Sequence, residues 1–254
     1  MFQKESFMKN LILHIPHSST IIPFKEGYCV SDEILNQEIL KLTDWYTDDL
    51  FENETDISIM ASFSRIFCDT ERFSDDSQEI MAQFGRGVLY EKTDAGETLR
   101  QVSADLRTRI LNQYYWKHHN QFTERVKIQL EQFGKSTIVD CHSFPSKPLT
   151  SALDQSTFRP DFNIGTDAFH TPKKLIDASI TFFKEKGFSL GVDSPYSGAI
   201  VPLQFYKKNK NVQSIMLEIN RALYLNEPSN EKSIRYREIK QIVHEFLNLI
   251  RNAQ

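Results

Sequence analysis

Three apolar stretches of the chain each stop at a residue that can bind a metal or move a proton. They are Leu11-Ile-Leu-His-Ile-Pro-His17, Thr137-Ile-Val-Asp-Cys-His142 and Ser214-Ile-Met-Leu-Glu218. Each stretch is typical of a buried strand, and the carboxyl ends of the strands in an open α/β sheet converge on one crevice. We therefore expect two histidines and a glutamate to meet there, which is the arrangement of a hydrolytic zinc site.

The two histidines at strand ends are candidate metal ligands. His17 follows Pro16, so strand pairing must already have ended and the imidazole can point over the sheet edge. His14 lies inside the apolar run, and we expect it to pack against a helix with its ring nitrogens satisfied. A single histidine after a strand is usually structural. The second one, His142 beside Asp140, favours a metal site, because zinc in hydrolases commonly takes two histidines and one carboxylate.

The third ligand must then be an acid, and Asp44 is the preferred candidate. It lies in Thr43-Asp-Trp-Tyr-Thr-Asp48, inside a helix that we predict over residues 31–51. Its apolar neighbours would bury an unpaired charge at a large cost in free energy. Asp48, one turn further along the same face, is the competitor. A solvated acid on the helix surface is the structural alternative.

Glu218 is the candidate general base. It closes an apolar strand, where a carboxylate is costly unless it is paired or bound to water on a metal. Activation of a metal-bound water suits its position in the crevice. An ion pair with Arg221 or another arginine is the alternative.

Arginines near another predicted strand, residues 65–69, are candidate substrate ligands. Strand alternation would put Arg65 and Asp69 on the same side, with Arg72 beyond the strand in the loop. Because the guanidinium fork binds carboxylates, we predict that Arg72 clamps the substrate. A surface ion pair of Arg72 with Glu71 or Asp75 is the alternative.

Two further segments carry weaker signals. Arg86 is flanked by glycines in Phe84-Gly-Arg-Gly87, which permit close approach of the backbone to a ligand. His118 and His119 follow aromatic residues in a long predicted helix, and a helical histidine among aromatics is usually packed.

Composition describes an ordinary enzyme-sized protein. The 254 residues are 40% hydrophobic and 12% aromatic, enough to bury a sizeable core, and we expect one domain over residues 1–254. The net charge of −4 is small and the basic residues are scattered, so we expect no nucleic-acid or membrane partner. The sequence gives no indication of oligomeric state.

Localisation and metal chemistry follow from what the sequence lacks. It has no run of about 18 apolar residues, and residues 1–10 carry charges where a signal peptide is apolar, so we expect a cytoplasmic protein. The three cysteines, Cys29, Cys68 and Cys141, are odd in number and lack CxxC spacing, which argues against disulfides and a thiolate zinc site. Any metal is then held by histidines and carboxylates.

Helix and strand patterns alternate along the chain, which predicts an α/β fold with a mostly parallel sheet covered on both faces. The loop-rich segment 70–96 is too long to be a simple connector, and we expect a functional lid or binding loop there, with disorder as the alternative. The segment 143–172 is also loop-rich and encloses a short strand. The remaining predicted elements are helices over 97–133, 171–187 and 234–250, and strands over 57–63, 162–165 and 188–192.

Eight short motifs resemble, in order, those of the N-formylglutamate amidohydrolase family, from about Leu11 to Glu227. They are His14-Ile-Pro-His-Ser-Ser19, Thr43-Asp-Trp-Tyr-Thr-Asp-Asp-Leu50, Ser64-Arg-Ile-Phe-Cys-Asp-Thr-Glu-Arg72, Phe84-Gly-Arg-Gly-Val-Leu89, Tyr115-Trp-Lys-His-His119, Val139-Asp-Cys-His-Ser-Phe-Pro145, Ser194-Pro-Tyr-Ser-Gly-Ala199 and Met216-Leu-Glu-Ile-Asn-Arg-Ala-Leu-Tyr224.

The resemblance implies a single three-layer α/β/α domain with a mostly parallel mixed sheet, similar to zinc carboxypeptidases. It also implies a divalent metal, usually Zn²⁺, that supports hydrolysis of an N-acyl amino acid. By that likeness His17, Asp44 and His142 would be the metal ligands and Glu218 the base. The residues on the substrate side would be Arg72, Arg65, Asp69, Arg86, His119 and Gly198.

Two positions depart from the family pattern. The usual Asp-x-Asn-Arg is here Asp69-Thr-Glu-Arg72, and Ser19 stands where glycine is common. Both positions lie near the proposed substrate end, so they bear on the choice of substrate more than on amide hydrolysis. From the resemblance we expect an amidohydrolase with N-formyl-L-glutamate as leading substrate. The alternatives are a carboxypeptidase-like or desuccinylase-like hydrolase of a larger amide, and a non-catalytic relative that binds an acidic metabolite or a partner protein.

Overall fold

The structure, a computed structural model, describes residues 10–253. Six strands form its main sheet: β1 (Ile12–Ile15), β2 (Ile57–Met60), β3 (Ser136–Phe144), β4 (Phe162–Gly165), β5 (Leu190–Val192) and β6 (Val212–Asn220). A small hairpin joins β7 (Leu225–Asn226) to β8 (Glu231–Lys232). The helices are α1 (Asp32–Leu42), α2 (Thr47–Phe51), α3 (Ala104–Ile110), α4 (Trp116–Phe133), α5 (Lys173–Glu185) and α6 (Tyr236–Asn252).

The strand order of the main sheet is β2-β1-β3-β6-β4-β5. Strands β2, β1, β3 and β6 are parallel, β4 is antiparallel to β6, and β5 is parallel to β4. The sheet is therefore mixed and mostly parallel, as predicted. The register aligns His142 with Glu218 across β3 and β6, and His14 with Asp140 across β1 and β3.

Helices cover both faces of this sheet, which gives the three layers expected. On one face α2, α5 and α6 pack on a core that includes Leu13, Val139 and Leu217. On the other face α4 packs through Phe122 and Val126 on a core with Ile12 and Ile138. Because strand residues alternate between faces, His14, Asp140, His142 and Glu218 share the α4 side. The apolar side chains of that face thus give way to polar ones towards the carboxyl ends of the central strands.

The single helix predicted over residues 31–51 is wrong. Helix α1 begins at the Ser31 cap, whose side chain accepts a hydrogen bond from Ile34 N, and ends at Leu42. The extended backbone of Thr43 and the left-handed Tyr46, with φ 62°, separate it from α2. Asp44 lies in this break, outside both helices.

The strand predicted over residues 65–69 is also wrong. The segment is a turn, in which Phe67 N and Cys68 N both donate to Ser64 O. Arg65 and Asp69 still share one side, because residues four apart also do so in a helical turn. The strand predicted over 57–63 is shorter and ends at Met60.

Other boundaries differ less. The helix expected over 97–133 begins at Ala104, where Ser103 provides the cap, and continues through a π-helical turn at Leu111–Tyr115 into α4. Strands β3 and β6 run two residues past His142 and Glu218. No helix within residues 10–253 is long and apolar enough to cross a membrane. The charged amino-terminal stretch that argued against a signal peptide lies, up to residue 9, outside the described residues.

Candidate metal and substrate site

His17, Asp44 and His142 come together at the carboxyl ends of β1 and β3. Each offers one ligand atom, and the three atoms lie within 4.8 Å of one another. Asp44 Oδ2 is 3.6 Å from His17 Nδ1 and 3.1 Å from His142 Nδ1. All three side chains are buried. The competitor Asp48 is exposed on α2.

The outer nitrogens of both histidines are held by carboxylates. His17 Nε2 donates to Asp69 Oδ1 at 2.8 Å, and His142 Nε2 donates to Asp140 Oδ1 at 3.0 Å. An ionised carboxylate only accepts hydrogen bonds, so each Nε2 carries a proton. Each Nδ1 faces Asp44, and His142 Nδ1 lies within hydrogen-bond distance of the Asp44 carboxylate. In the neutral ring the lone pair is then on Nδ1, which is the tautomer that a metal ligand needs.

This donor set fits a divalent cation. His17 Nδ1 is buried without a hydrogen-bond partner, and such an atom is costly unless something binds it. Two imidazole nitrogens and one carboxylate are a common set of protein ligands in zinc hydrolases. The three residues can therefore hold Zn²⁺ or a similar ion.

The break between α1 and α2 places Asp44. Its backbone N–H donates to His17 O at 3.0 Å, which fixes the break against the end of β1. Its carboxylate accepts from Arg221 Nη2 at 3.2 Å and from Ser143 N at 3.3 Å. Burial alone would raise the pKa of Asp44, but its contacts with His142 and His17 hold that pKa well below its usual range. Asp44 is therefore an anion at the centre of the site.

Glu218 lies beside this group with a free oxygen. It is in register with His142 on β3 and with Asn163 on β4. It is 7% exposed, and its Oε2 has no hydrogen-bond partner. Burial raises the pKa of Glu218 to about 8, while His142 lowers it. Arg221, the alternative partner from the sequence, binds Asp44 and Ser143 O instead.

Asp69 lies behind His17, and this position does not fit the predicted direct contact between Asp69 and the substrate. It is fully buried and accepts from His17, from Arg65 Nη2 at 3.0 Å and from Tyr90 Oη at 2.7 Å. Burial would raise the pKa of Asp69, but the charge of Arg65 holds it well below the usual range. Asp69 therefore orients His17 as a permanent anion.

His14 packs as predicted. Its ring stacks on Phe122 of α4 at 4.7 Å between centroids, Nδ1 lies 3.0 Å from Asp140 Oδ1, and Nε2 lies 2.9 Å from His118 Nε2. Glu71 Oε1 is 3.1 Å from His14 Nδ1. Burial lowers the pKa of His14, but Asp140 and Glu71 outweigh it and raise the pKa to about 9. The acid at position 71 thus faces a cationic histidine beneath the metal ligands.

A cavity of about 320 Å³ opens onto these residues. That volume is at the lower end for small-molecule sites. Its lining includes His17, Asp44, His142, Glu218, Arg65 and Arg221, and also Arg72, Arg86, Arg159 and Tyr196.

Arg72 reaches this cavity with its guanidinium only loosely paired. Its Nε lies 3.7 Å from Asp69 Oδ2 and its Nη1 3.9 Å from Glu79 Oε1. Glu71 faces His14, and Asp75 accepts from Ser77 and Gln78. The alternative pairing of Arg72 with Glu71 or Asp75 is therefore wrong.

The other predicted substrate residues take different places. Arg86 lines the cavity, donates to Ser151 Oγ and lies 3.8 Å from Asp94 Oδ1. Among the described residues, His119 and Gly198 are not part of the cavity lining. His119 Nε2 donates to Thr70 O at 3.0 Å, and Gly198, with φ 91°, packs its carbonyl against Gly165. Both support the loops around the site.

The sequence patterns did not predict that Asp140 is a partner of His142, and they predicted no site role for Arg159 or Tyr196. Alternation in β3 signals the first, since residues 140 and 142 must face the same side. Nothing in the sequence signals Arg159, which lies in an irregular loop and reaches the cavity only through tertiary contacts.

Comparisons with known proteins agree with the motifs. A sequence profile described as N-formylglutamate amidohydrolase matches residues 9–225. The N-formylglutamate deformylase of Pseudomonas aeruginosa is 23% identical over 227 residues, covering 85% of this chain and 82% of that protein.

Solved structures share the fold. The N-formylglutamate amidohydrolase of Ralstonia eutropha JMP134 matches with a TM-score of 0.85 and 23% identity, over 98% of this chain and 95% of that one. A gene product of Agrobacterium tumefaciens matches with a TM-score of 0.65 and 18% identity, over 95% and 91% of the two chains. Because the profile spans most of the sequence, this chain belongs to the N-formylglutamate amidohydrolase family.

Proposed function

We propose that this protein hydrolyses the amide bond of an N-acyl amino acid, with N-formyl-L-glutamate as its leading substrate and formate and L-glutamate as products. Family membership supports this reaction, as does the similarity to the N-formylglutamate deformylase of Pseudomonas aeruginosa. One observation carries the proposal: the unpartnered Oε2 of buried Glu218 lies next to the group formed by His17, Asp44 and His142.

In this proposal His17 Nδ1, Asp44 Oδ2 and His142 Nδ1 hold a divalent ion, with Zn²⁺ the first candidate. When bound there, such an ion polarises a carbonyl and lowers the pKa of water. Asp69 and Asp140 fix the histidine tautomers from behind. Arg221 keeps the Asp44 carboxylate in place through its bond to Oδ1.

Glu218 moves the proton. Its free Oε2 accepts a proton from the attacking water as the water oxygen bonds to the formyl carbon. It then gives that proton to the amide nitrogen as the carbon–nitrogen bond breaks, and the remaining hydroxyl proton passes to the amine, which leaves formate and the ammonium group of glutamate. Glu218 takes the proton in its ionised form, which a divalent ion at the ligand group would favour, and the pKa raised by burial favours holding the proton until its transfer.

Arg72 is proposed to bind a substrate carboxylate. Its contacts to Asp69 and Glu79 are long, at 3.7 and 3.9 Å, so hydrogen-bonding capacity remains for a ligand in the cavity. A guanidinium offers several donors to a carboxylate, which fixes the orientation of the amide relative to Glu218.

The cavity volume supports a small metabolite over the larger amides of a carboxypeptidase-like or desuccinylase-like hydrolase. The buried, unpartnered Glu218 and His17 atoms support catalysis over simple binding, since a binding site has no need of them. The single domain and the cytoplasmic location stay predictions from the sequence.

Formate release by the purified, zinc-reconstituted protein tests this function. We expect kcat/KM for N-formyl-L-glutamate to exceed that for N-acetyl-L-glutamate, N-succinyl-L-glutamate and a dipeptide with C-terminal glutamate. Chelation should abolish the activity, and added Zn²⁺ should restore it. Metal-loaded protein that releases no formate would refute the proposal, and preference for a larger amide would replace the substrate.

A further inference from the structure

We propose that Arg159 forms a second carboxylate subsite, separate from that of Arg72, so that the cavity selects N-acyl amino acids with two carboxylates. This inference rests on the proposed function and deepens it. The charges around the cavity and the anchoring of the Arg159 loop on β6 support it.

The arginines of the cavity differ in how their charge is neutralised. Arg65 lies 3.0 Å from Asp69 Oδ2, Arg221 lies 3.2 Å from Asp44 Oδ1, and Arg86 lies 3.8 Å from Asp94 Oδ1. Arg72 has longer contacts to two acids. Arg159 differs from these cavity arginines, because within residues 10–253 no carboxylate lies in ion-pair range of it.

Arg159 is nevertheless buried, with 9% of its surface exposed. Its Nη2 donates to Asp154 O at 2.5 Å, but buried Nε and Nη1 have no hydrogen-bond partner. A buried cation without a counterion is strongly unfavourable. We therefore expect an anion in the cavity to bind the Arg159 guanidinium.

The chain anchors Arg159 close to the proposed base. Asn220, two residues after Glu218 on β6, donates from its side chain to Pro160 O at 3.1 Å and from its backbone to Asp161 O at 3.0 Å. Arg159 immediately precedes that anchored pair. Its position is thus set by the same strand that carries Glu218.

Tyr196 connects the two residues from the other side. Its carbonyl accepts from the Asn163 side chain at 2.9 Å, and Asn163 is in register with Glu218. The Tyr196 ring lies 5.9 Å from the Arg159 guanidinium carbon. Arg159 therefore lines the same cavity as the proposed metal ligands and Glu218.

Two cationic positions with free donors match a substrate with two anionic groups. Arg72 lies beside Asp69, which supports His17, and Arg159 lies beside Tyr196, in the loop that β6 anchors. A carboxylate at each would hold the molecule at both ends and present its amide to Glu218. N-formyl-L-glutamate has such a pair of carboxylates.

The test compares three substrates: N-formyl-L-glutamate, N-formyl-L-glutamine and the α-amide N-formyl-L-isoglutamine. Each monoamide lacks one carboxylate. Arg159→Gln should lower kcat/KM roughly 10- to 100-fold for the diacid and for one monoamide, and leave the other monoamide near its wild-type value. Arg72→Gln should spare the opposite monoamide. Arg159→Lys keeps the charge and should recover part of the loss.

Arg235→Gln is the matched control, because this exposed arginine pairs with Glu238 and does not line the cavity, and it should match the wild type on all three substrates. Equal losses on all three substrates in Arg159→Gln would overturn the proposal. The same conclusion follows if Arg72→Gln and Arg159→Gln both spare the same monoamide.

Binding of glutarate separates this inference from the proposed reaction. By calorimetry, the wild type should bind this plain dicarboxylate at least roughly 10-fold more tightly than Arg159→Gln does, whereas butyrate should show little difference. If the wild type hydrolyses none of the substrates but this difference appears, the reaction is wrong and the subsite stands. Equal glutarate binding by both proteins would refute the subsite whatever the activity.

Discussion

Asp69→Asn should weaken metal binding without touching a proposed metal ligand. The Asp69 carboxylate accepts the Nε2 proton of His17 at 2.8 Å, which leaves the Nδ1 lone pair free for the ion. An amide oxygen is a weaker acceptor than a carboxylate. If the amide turns its NH₂ towards Nε2, the proton must move to Nδ1, and His17 in that tautomer cannot bind a metal.

The size of the effect follows from these contacts. Loss of the carboxylate behind a ligating histidine typically weakens metal binding about 10- to 100-fold, or about 1.4 to 2.7 kcal/mol. Asp69 is fully buried, so solvent cannot replace it, and we expect a loss near the upper end of that range. The variant should also be less stable, because the remaining carboxylate in ion-pair range of Arg65 is then that of Asp44, at 3.7 Å.

Competition with a zinc chelator, well below the melting temperature of the variant, measures the dissociation constant. Asp75→Asn is the matched control: Asp75 is an exposed acid of the same segment and accepts from Ser77 and Gln78. Its affinity should equal that of the wild type. Zinc affinity of Asp69→Asn within twofold of the wild type, or an equal loss in both variants, would refute the role given to Asp69.

Three other variants test separate parts of the structure. Glu218→Gln should keep metal and substrate affinity but lower kcat by a factor on the order of 10² to 10⁴ in steady-state assays. Arg72→Lys should lower kcat/KM for N-formyl-L-glutamate by about 1.5 to 3 kcal/mol and leave one of its two monoamides nearly unaffected. Asp49, despite some burial, has its pKa lowered by hydrogen bonds from Lys240 and Tyr236. A lowered folded-state pKa stabilises the protein above the unfolded value of about 3.9 and loses that effect as the pH falls through the folded value. Asp49→Asn should therefore lower the melting temperature at pH 7, with a difference that shrinks as the pH falls below about 4.

Each of these expectations has a contradicting result. Near wild-type turnover in Glu218→Gln would exclude it as the base. Equal losses for the diacid and both monoamides in Arg72→Lys would show that Arg72 supports structure and does not read a carboxylate. A melting-temperature difference for Asp49→Asn that stays constant down to pH 2 would show that the charge of Asp49 does not stabilise the contact between α2 and α6.

Strand patterns made the inner part of the site predictable. Apolar runs that stop at His17, His142 and Glu218 are typical of strands in a sheet that is buried on both faces. The exact strand ends were not predictable, because β3 and β6 continue through Ser143 and Asn220, polar residues that pair with neighbouring strands. His142 and Glu218, which the apolar runs placed at strand ends, therefore lie two residues before the actual ends of β3 and β6.

The sequence pattern did not predict the correct local structure where a strand and a helical turn place the same residues on one side. Arg65 and Asp69 fit a strand and a helical turn equally well, since both bring residues four apart to one side. The break around Asp44 depends on the left-handed backbone conformation of Tyr46. A residue other than glycine seldom adopts this conformation, and the sequence composition does not predict it. Arg159 reaches the cavity only because Asn220 anchors its loop, a tertiary contact that the sequence does not show.

Metal content of His17→Ala and His142→Ala tests the central claim most directly. His244→Ala is the matched control, since His244 lies on α6, on the other face of the sheet. Elemental analysis after saturation with Zn²⁺ and removal of free ion should find one ion per chain in the wild type and the control. Each of the other two variants should keep its circular dichroism spectrum and lose nearly all bound metal. Wild-type metal content in both variants would contradict a site built on His17, Asp44 and His142.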